Sequence, residues 1–242
     1  MANSQQDQSI HSALILAGGL GTRLRSAVRD VPKPMAPIHG RPFLDYLLAY
    51  WIGEGIRHFV LSVGYLNEHI TRHFGHSYLG IPLTYAVEDS PLGTGGGALQ
   101  AASNLPDDTP FLVLNGDTFF EVNLAQLSDF HHRKQADWTL ALFQVADSTS
   151  RYTGISLDQE GRIVRMENAE EDGYANGGVY VMEKKVLSSG HWMPGHPFSL
   201  EQDVLPECLV VGTRVYGWPC KGRFIDIGIP DDYRRGNQFF EL

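Results

Sequence analysis

Cysteine, basic charge and long apolar runs are scarce in this chain, and each scarcity excludes a class of protein. Cys208 and Cys220 are the only cysteines in 242 residues. Neither stands in a metal-ligand spacing, so the sequence predicts neither a zinc site nor a disulfide framework and points to a reducing compartment. Lysine and arginine total 19 against 28 aspartate and glutamate, a formal charge of −9. A surface of that sign is a poor partner for a nucleic-acid backbone. Small anionic substrates are still compatible, because a few cations and a divalent metal can reverse the sign inside a cleft. No apolar run approaches the length that spans a bilayer, so no membrane partner is expected. Residues 1–11 are polar and glutamine-rich, the pattern of a disordered start and not of a signal peptide, and the cytoplasm is the default location.

What is present is globular: 43% hydrophobic and 19% charged residues, in a chain long enough for one generous domain. The spacing predicts strands at Ala13–Ala17, Phe59–Val63, Leu83–Val87 and Phe111–Leu114, separated by helices at Phe43–Trp51, Tyr65–Phe74 and Gly95–Ala102. Strand alternating with helix predicts a Rossmann-like, three-layer α/β fold around a mainly parallel sheet. A helix at Leu124–Phe130 and strands at Thr139–Val145, Ile155–Leu157, Ile163–Met166, Gly177–Val181 and Leu209–Tyr216 follow. This denser second half reads as a lid built onto the same sheet.

Sheets of this kind hold ligands at the C-terminal ends of their strands. Three stretches fall there: Gly18 to Arg23 after the first strand, Glu88 to Gly97 after the third and Asn115 to Asp117 after the fourth. Leu16 and Ala17 end the first strand and run into Gly18, Gly19, Gly21, Thr22 and Arg23, where bare backbone amides and a guanidinium suit phosphate oxygens. Lys33 follows between Pro32 and Pro34, a charge on stiff backbone. The P-loop pattern fails because Thr22 and Arg23 follow Gly21, and the dinucleotide fingerprint fails at Leu24. Asn115, Gly116 and Asp117 close the fourth strand and Asp226 closes a later apolar run. Two such carboxylates can bracket one Mg²⁺, with phosphate and water supplying the remaining oxygens. A cap or a turn would explain each of these stretches taken singly.

Together, in this order, GGLGTRL, PKP, EDSPLGTGGG, NGD and NGGVY resemble the signature of the sugar-1-phosphate nucleotidyltransferases. The resemblance spans about residues 12–236 and implies one domain over 12–242, with a nucleotide-binding core at 12–135 and a sugar-binding half at 136–242. It implies that Glu88, Gly93 and Thr94 wrap the base and ribose. Asn115, Gly116, Glu167, Asn176, Gly177 and Glu201 would meet the sugar phosphate, with Asp203 close by. Asp117 and Asp226 would bind Mg²⁺, while Arg23, Lys33 and Asp117 would be catalytic. Where the family often has a lysine after this glutamate, Asn168 stands here, leaving Lys33, Arg151, Lys184 or Lys185 as the phosphate cation. No hexapeptide repeat follows.

The implied reaction is attack by a sugar 1-phosphate on the α-phosphorus of a nucleoside triphosphate. The motif combination looks closest to the branch that uses GTP and D-glycero-α-D-manno-heptose 1-phosphate. Mannose-1-phosphate guanylyltransferases and small uridylyltransferases are the neighbouring branches. A non-catalytic nucleotide-sugar-binding subunit is the alternative of another class, though all four charged catalytic positions are intact. His131 and His132, adjacent on a predicted helix, cannot share a face and read as ordinary surface residues. Phe239 and Phe240 fit either a homo-oligomer interface or the packed end of a C-terminal helix.

Overall fold

The run Ser-Ala-Leu-Ile-Leu-Ala is apolar on both faces, as a strand covered on both sides must be, and it becomes β1 (Ser12–Ala17) at the centre of the sheet. The computed structural model describes residues 9–24, 27–28, 30–107, 109–145, 149–169, 173–188 and 191–241. The side chains of 149–151, 168 and 169 are outside that description. Residues 1–8 of the expected disordered start lie outside it as well, whereas Ile10 is packed into the core.

After β1 come the short hairpin strands β2 (Pro37–Ile38) and β3 (Arg41–Pro42), α1 (Phe43–Glu54), β4 (His58–Val63) and α2 (Asn67–Phe74). Next are β5 (Ser77–Tyr78), β6 (Ile81–Val87), α3 (Gly93–Ala102), β7 (Phe111–Asn115), β8 (Thr118–Phe120) and α4 (Leu124–Arg133). The second half supplies β9 (Trp138–Gln144), β10 (Thr149–Leu157), β11 (Ile163–Ala169), β12 (Tyr174–Met182) and α5 (Lys184–Ser188). A π-helical turn at Leu200–Val204 leads into α6 (Leu205–Val211), followed by β13 (Val215–Pro219), β14 (Phe224–Asp226) and α7 (Pro230–Phe239).

Among the described residues one ten-stranded sheet runs β11-β10-β12-β7-β1-β4-β6-β5, with β9 on β12 and β13 on β9. Its centre, β7-β1-β4-β6, is parallel, as the alternating pattern predicts. Strand β12 ties the halves together: its start pairs with β10, its end with β7, and both with β9. Period-two alternation divides the core in two. Ala13, Ile15, Phe59, Leu61, Leu112 and Leu114 pack under α1 with Phe43, Leu47 and Trp51. Leu14, Val60 and Val113 pack on the other face with Ala98, Ala101 and Ala102 of α3. These two covered faces are the three layers.

Two expectations are corrected. Leu209–Val211 is not strand: it ends α6, with Val210 86% and Val211 69% exposed, and pairing to β9 begins only at Val215. His131 is not a surface residue. It is buried, its Nδ1 2.9 Å from the Thr139 hydroxyl, while its neighbour His132 bonds the Ser128 carbonyl through Nδ1 at 2.7 Å. Burial, reinforced by His132, pushes the His131 imidazole down to about 3. Phe239 and Phe240 close the C-terminal helix against Phe119, and Phe240 also stacks on Tyr46.

Candidate active site

The parallel strands end together, so their outgoing loops converge, and the chemistry-bearing residues come with them. A cleft of about 270 Å³ is lined by Leu16, Ala17, Gly18 and Gly19 after β1, Glu88, Pro91, Gly93 and Thr94 after β6, Asn115, Gly116 and Asp117 after β7, and Lys33 with Pro34. A larger hollow of about 420 Å³, which includes Glu54, Arg57 and His132, lies at the opposite end of β1 and β4. Its Glu54 accepts from the Leu124 amide and its Arg57 donates to the Ile52 and Ile56 carbonyls. Those groups hold loops together and leave the strand-end cleft as the candidate.

The charged floor of that cleft is assembled from three distant segments. Strands β8 and β14 pair so that Asp226 stands opposite Thr118, the residue after Asp117. The Ile227 amide donates to the Asp117 carbonyl at 3.0 Å. Lys33, held on a turn that includes Pro34, reaches in to form an ion pair with the Asp117 carboxylate. A Cβ placed on Gly228 would lie 2.6 Å from Asp226 Oδ1 and 3.0 Å from Lys33 Nζ, so these two atoms are no more than about 5.6 Å apart. The ammonium is therefore paired with Asp117 and lies within about 5.6 Å of the Asp226 carboxylate. Among the described residues no group of three or more His, Cys, Asp or Glu gathers to hold a metal. Two hard carboxylates do fit a Mg²⁺ that takes its remaining oxygens from phosphate and water.

One wall of the cleft is built around Glu88. Its Oε1 accepts the Ser62 hydroxyl at 2.7 Å and its Oε2 the Leu92 amide at 3.0 Å. Bare Gly18 leaves room for it, since a Cβ there would lie 2.7 Å from the Glu88 carboxyl carbon and would displace the carboxylate. Ser62 also reaches the Gly97 carbonyl at 3.3 Å. Sequence reasoning missed Ser62, although a hydroxyl in the otherwise apolar strand β4, facing a strand-end glutamate, was the available signal.

The expected sugar residues divide. Glu201 joins the cleft through the Thr94 hydroxyl at 2.7 Å, and Asn176 is linked to Glu201 through Tyr180. Asn115 Oδ1 and Thr118 Oγ1 are buried without a partner among the described residues. Both side chains border the bare Cα of Gly178, which sits at φ +70°. Gly177 instead faces the ring of Phe120. Glu167 lies farther out on β11, accepting from Ser156 at 2.7 Å and Arg165 at 2.9 Å. Asp203 accepts from the Ser199 amide and caps the turn.

Gly21 packs against Lys33, while Thr22 and Arg23 are exposed on the loop rim and do not line the cleft. Of the candidate phosphate cations, Lys33 alone is brought to the cleft among the described side chains. Lys184 pairs with Asp107 and Lys185 with Asp137, each at 2.5 Å. They follow Met182, which stands opposite the first residue of β7, at the end of the sheet away from the cleft. The side chains of Arg151 and Asn168 lie outside the described residues.

The Nucleotidyl transferase family matches residues 12–241. A D-glycero-alpha-D-manno-heptose 1-phosphate guanylyltransferase of Aneurinibacillus thermoaerophilus is 40% identical over 93% of this chain and 96% of its own. A mannose-1-phosphate guanylyltransferase of Mycobacterium tuberculosis is 38% identical over 98% of this chain and 65% of its own. The crystal structure of HddC from Yersinia pseudotuberculosis superimposes with a TM-score of 0.84 at 31% identity, over 96% of this chain and all of that one. The same protein is known in complex with GMP-PN. Sequence and fold agree along nearly the whole length, and the chain belongs to the nucleotidyl transferase family.

Proposed function

We propose that this protein transfers GMP from GTP to D-glycero-α-D-manno-heptose 1-phosphate, giving GDP-heptose and pyrophosphate. The observation that carries the reaction class is the meeting of Lys33, Asp117 and Asp226 on one floor under the glycine loop. A phosphate oxygen of the sugar phosphate attacks the α-phosphorus in line, and the bond to the β-phosphate breaks without a covalent enzyme intermediate. Asp117 and Asp226 would hold a Mg²⁺, which when bound would supply charge neutralisation at the reacting phosphate. Lys33 steadies the crowded α-phosphorus, and Arg23 on the rim draws charge from the departing pyrophosphate. The backbone of Leu16 to Gly21 with Thr22 cradles the phosphates.

The base is supported by Glu88. A carboxylate only accepts hydrogen bonds, and guanine presents two adjacent donors, N1–H and the 2-amino group. Uracil and thymine offer one N–H between two carbonyls, a poorer match. The sugar is supported by heptose-named relatives at 40% and 35% identity that this chain covers almost completely. Asn115 and Thr118, with oxygens that lack partners among the described residues, fit a ligand rich in hydroxyls, joined by Asn176, Gly177, Glu201 and, from the lid side, Glu167. The residue ranges 12–135 and 136–242 then act as nucleotide and sugar halves of one domain. Such an enzyme feeds cytoplasmic synthesis of a surface polysaccharide, capsule or lipopolysaccharide. Among the described residues no helix is long and apolar enough to cross a membrane.

Mannose 1-phosphate is the second reading, favoured by the mycobacterial relative. Pyrophosphate release with Mg²⁺, crossing GTP, UTP, CTP, ATP and dTTP against heptose, mannose, glucose and N-acetylglucosamine 1-phosphates, tests both. Selective turnover of GTP with the manno-heptose phosphate is expected. Preference for mannose 1-phosphate selects the second reading, and preference for another base removes Glu88 as the reader of guanine.

A further inference from the structure

Tyr180 places a hydroxyl in the interior of the sheet, where packing alone asks only for a ring. The residue is fully buried on β12, its ring edge-on to Trp138 at 5.9 Å. Its O–H donates to Glu201 Oε1 at 2.9 Å and accepts from Asn176 Nδ2 at 2.8 Å. A phenol has one proton and two lone pairs. With the proton committed to Glu201, a lone pair faces the Asn176 N–H, which settles how that amide is turned. Asn176 thus aims Oδ1 at the Gly178 amide, 3.0 Å away. On its other side Glu201 holds the Thr94 and Ser199 hydroxyls through Oε2, at 2.7 and 3.0 Å. Thr94 in turn accepts the Leu200 amide at 2.9 Å and lines the cleft.

An unbroken hydrogen-bonded chain therefore runs from Thr94, through Glu201 and Tyr180, to Asn176 and Gly178. We propose that Tyr180 is a positioning residue coupling the two substrate half-sites, so that ordering Thr94 around the nucleotide orients Glu201 and Asn176 for the sugar phosphate. This rests on the reading of Asn176 and Glu201 as sugar-side residues. Burial also keeps the phenol protonated, pushing its titration well above the ordinary range. Donation along the chain thereby converges on Glu201, from Thr94 on one side and from Tyr180, itself the acceptor of Asn176, on the other.

The test is calorimetric binding of D-glycero-α-D-manno-heptose 1-phosphate, with and without α,β-methylene-GTP, to wild type, Tyr180→Phe and Asn176→Ala. Wild type is expected to bind the sugar phosphate about 5- to 150-fold more tightly when the analogue is present, the usual span of coupling between sites. Tyr180→Phe keeps the ring, so affinity for the analogue alone should hold while the coupling falls to within about twofold of none. Asn176→Ala should weaken the sugar phosphate in both states. Absence of coupling in wild type, or intact coupling in Tyr180→Phe beside a weakened Asn176→Ala, overturns the role of Tyr180 and leaves the site standing. Unchanged affinity in Asn176→Ala overturns the sugar-side reading and this inference with it. If Tyr180→Phe does not fold, Thr94→Val and Thr94→Ser decide: coupling lost with valine and kept with serine supports the chain, and coupling kept with valine overturns it.

Discussion

Replacing Glu88 by glutamine changes one atom's chemistry and leaves the shape alone, which makes it the sharpest probe of base selection. The two anchors of Glu88 dictate how glutamine must sit. Its oxygen has to face the Leu92 amide, a fixed donor now 3.0 Å from Oε2. Its amide nitrogen then faces Ser62, and the Ser62 hydroxyl can accept from it by turning its own proton toward the Gly97 carbonyl, already 3.3 Å away. The variant should therefore fold, but one of the two acceptors offered to the base has become a donor. Losing a hydrogen bond to a charged group is worth about 1.5–3 kcal/mol, so kcat/KM for GTP should fall about 10- to 150-fold. UTP and dTTP, whose edges alternate donor and acceptor, should gain. Pyrophosphate release with each triphosphate at saturating sugar phosphate reads the ratio directly. An unchanged GTP to UTP ratio refutes the assignment, and a parallel loss with every triphosphate together with a lowered Tm makes Glu88 structural only.

Asp117→Asn should lower kcat by about 10³-fold, the several kcal/mol a metal contributes to charge stabilisation, while Tm stays within a few degrees; unchanged kcat removes Asp117 from the metal site. Gly18→Ala should push the Glu88 carboxylate off its anchors and raise KM for GTP about tenfold, the loss of roughly one such bond. Combined with Glu88→Ala it should add nothing further, and additive losses would show that Gly18 acts elsewhere. Burial pushes the His131 imidazole down to about 3 from the ordinary 6.5, so as pH falls below 6.5 the unfolded state binds the proton first and stability declines. Urea unfolding should show His131→Asn flattening that decline by about 1.4 kcal/mol per pH unit between pH 6 and 4, and an identical slope in both proteins would refute the buried neutral imidazole.

His131 also shows why part of this molecule could not be read from its sequence as first parsed. Adjacent helical residues diverge by about 100°, so the argument that His131 and His132 cannot share a face is sound. It implies, however, that one of the two can turn inward. Leu124, Leu127 and Ser128 already mark the buried stripe of α4, and His131 continues it at the three- and four-residue spacing that defines a face. Polar identity outweighed position. Leu209–Val211 failed for the opposite reason: apolar, β-branched identity suggested a strand, but a helix begun at Leu205 with Pro206 in its first turn was already under way. What did read correctly, the loops after β1, β6 and β7, owes its legibility to topology. Parallel strands must all end on one edge, so an apolar run followed by glycine or a carboxylate locates a residue in space without further information. The Glu88–Ser62 and Glu201–Tyr180–Asn176 links lack that shortcut. Each joins residues 21 or more positions apart, or four apart across a register shift in β12, and each depends on which way one hydroxyl proton points. Such contacts are set by the assembled sheet, which is why the strand ends that line the cleft were visible in the chain and the side chains that brace them were not.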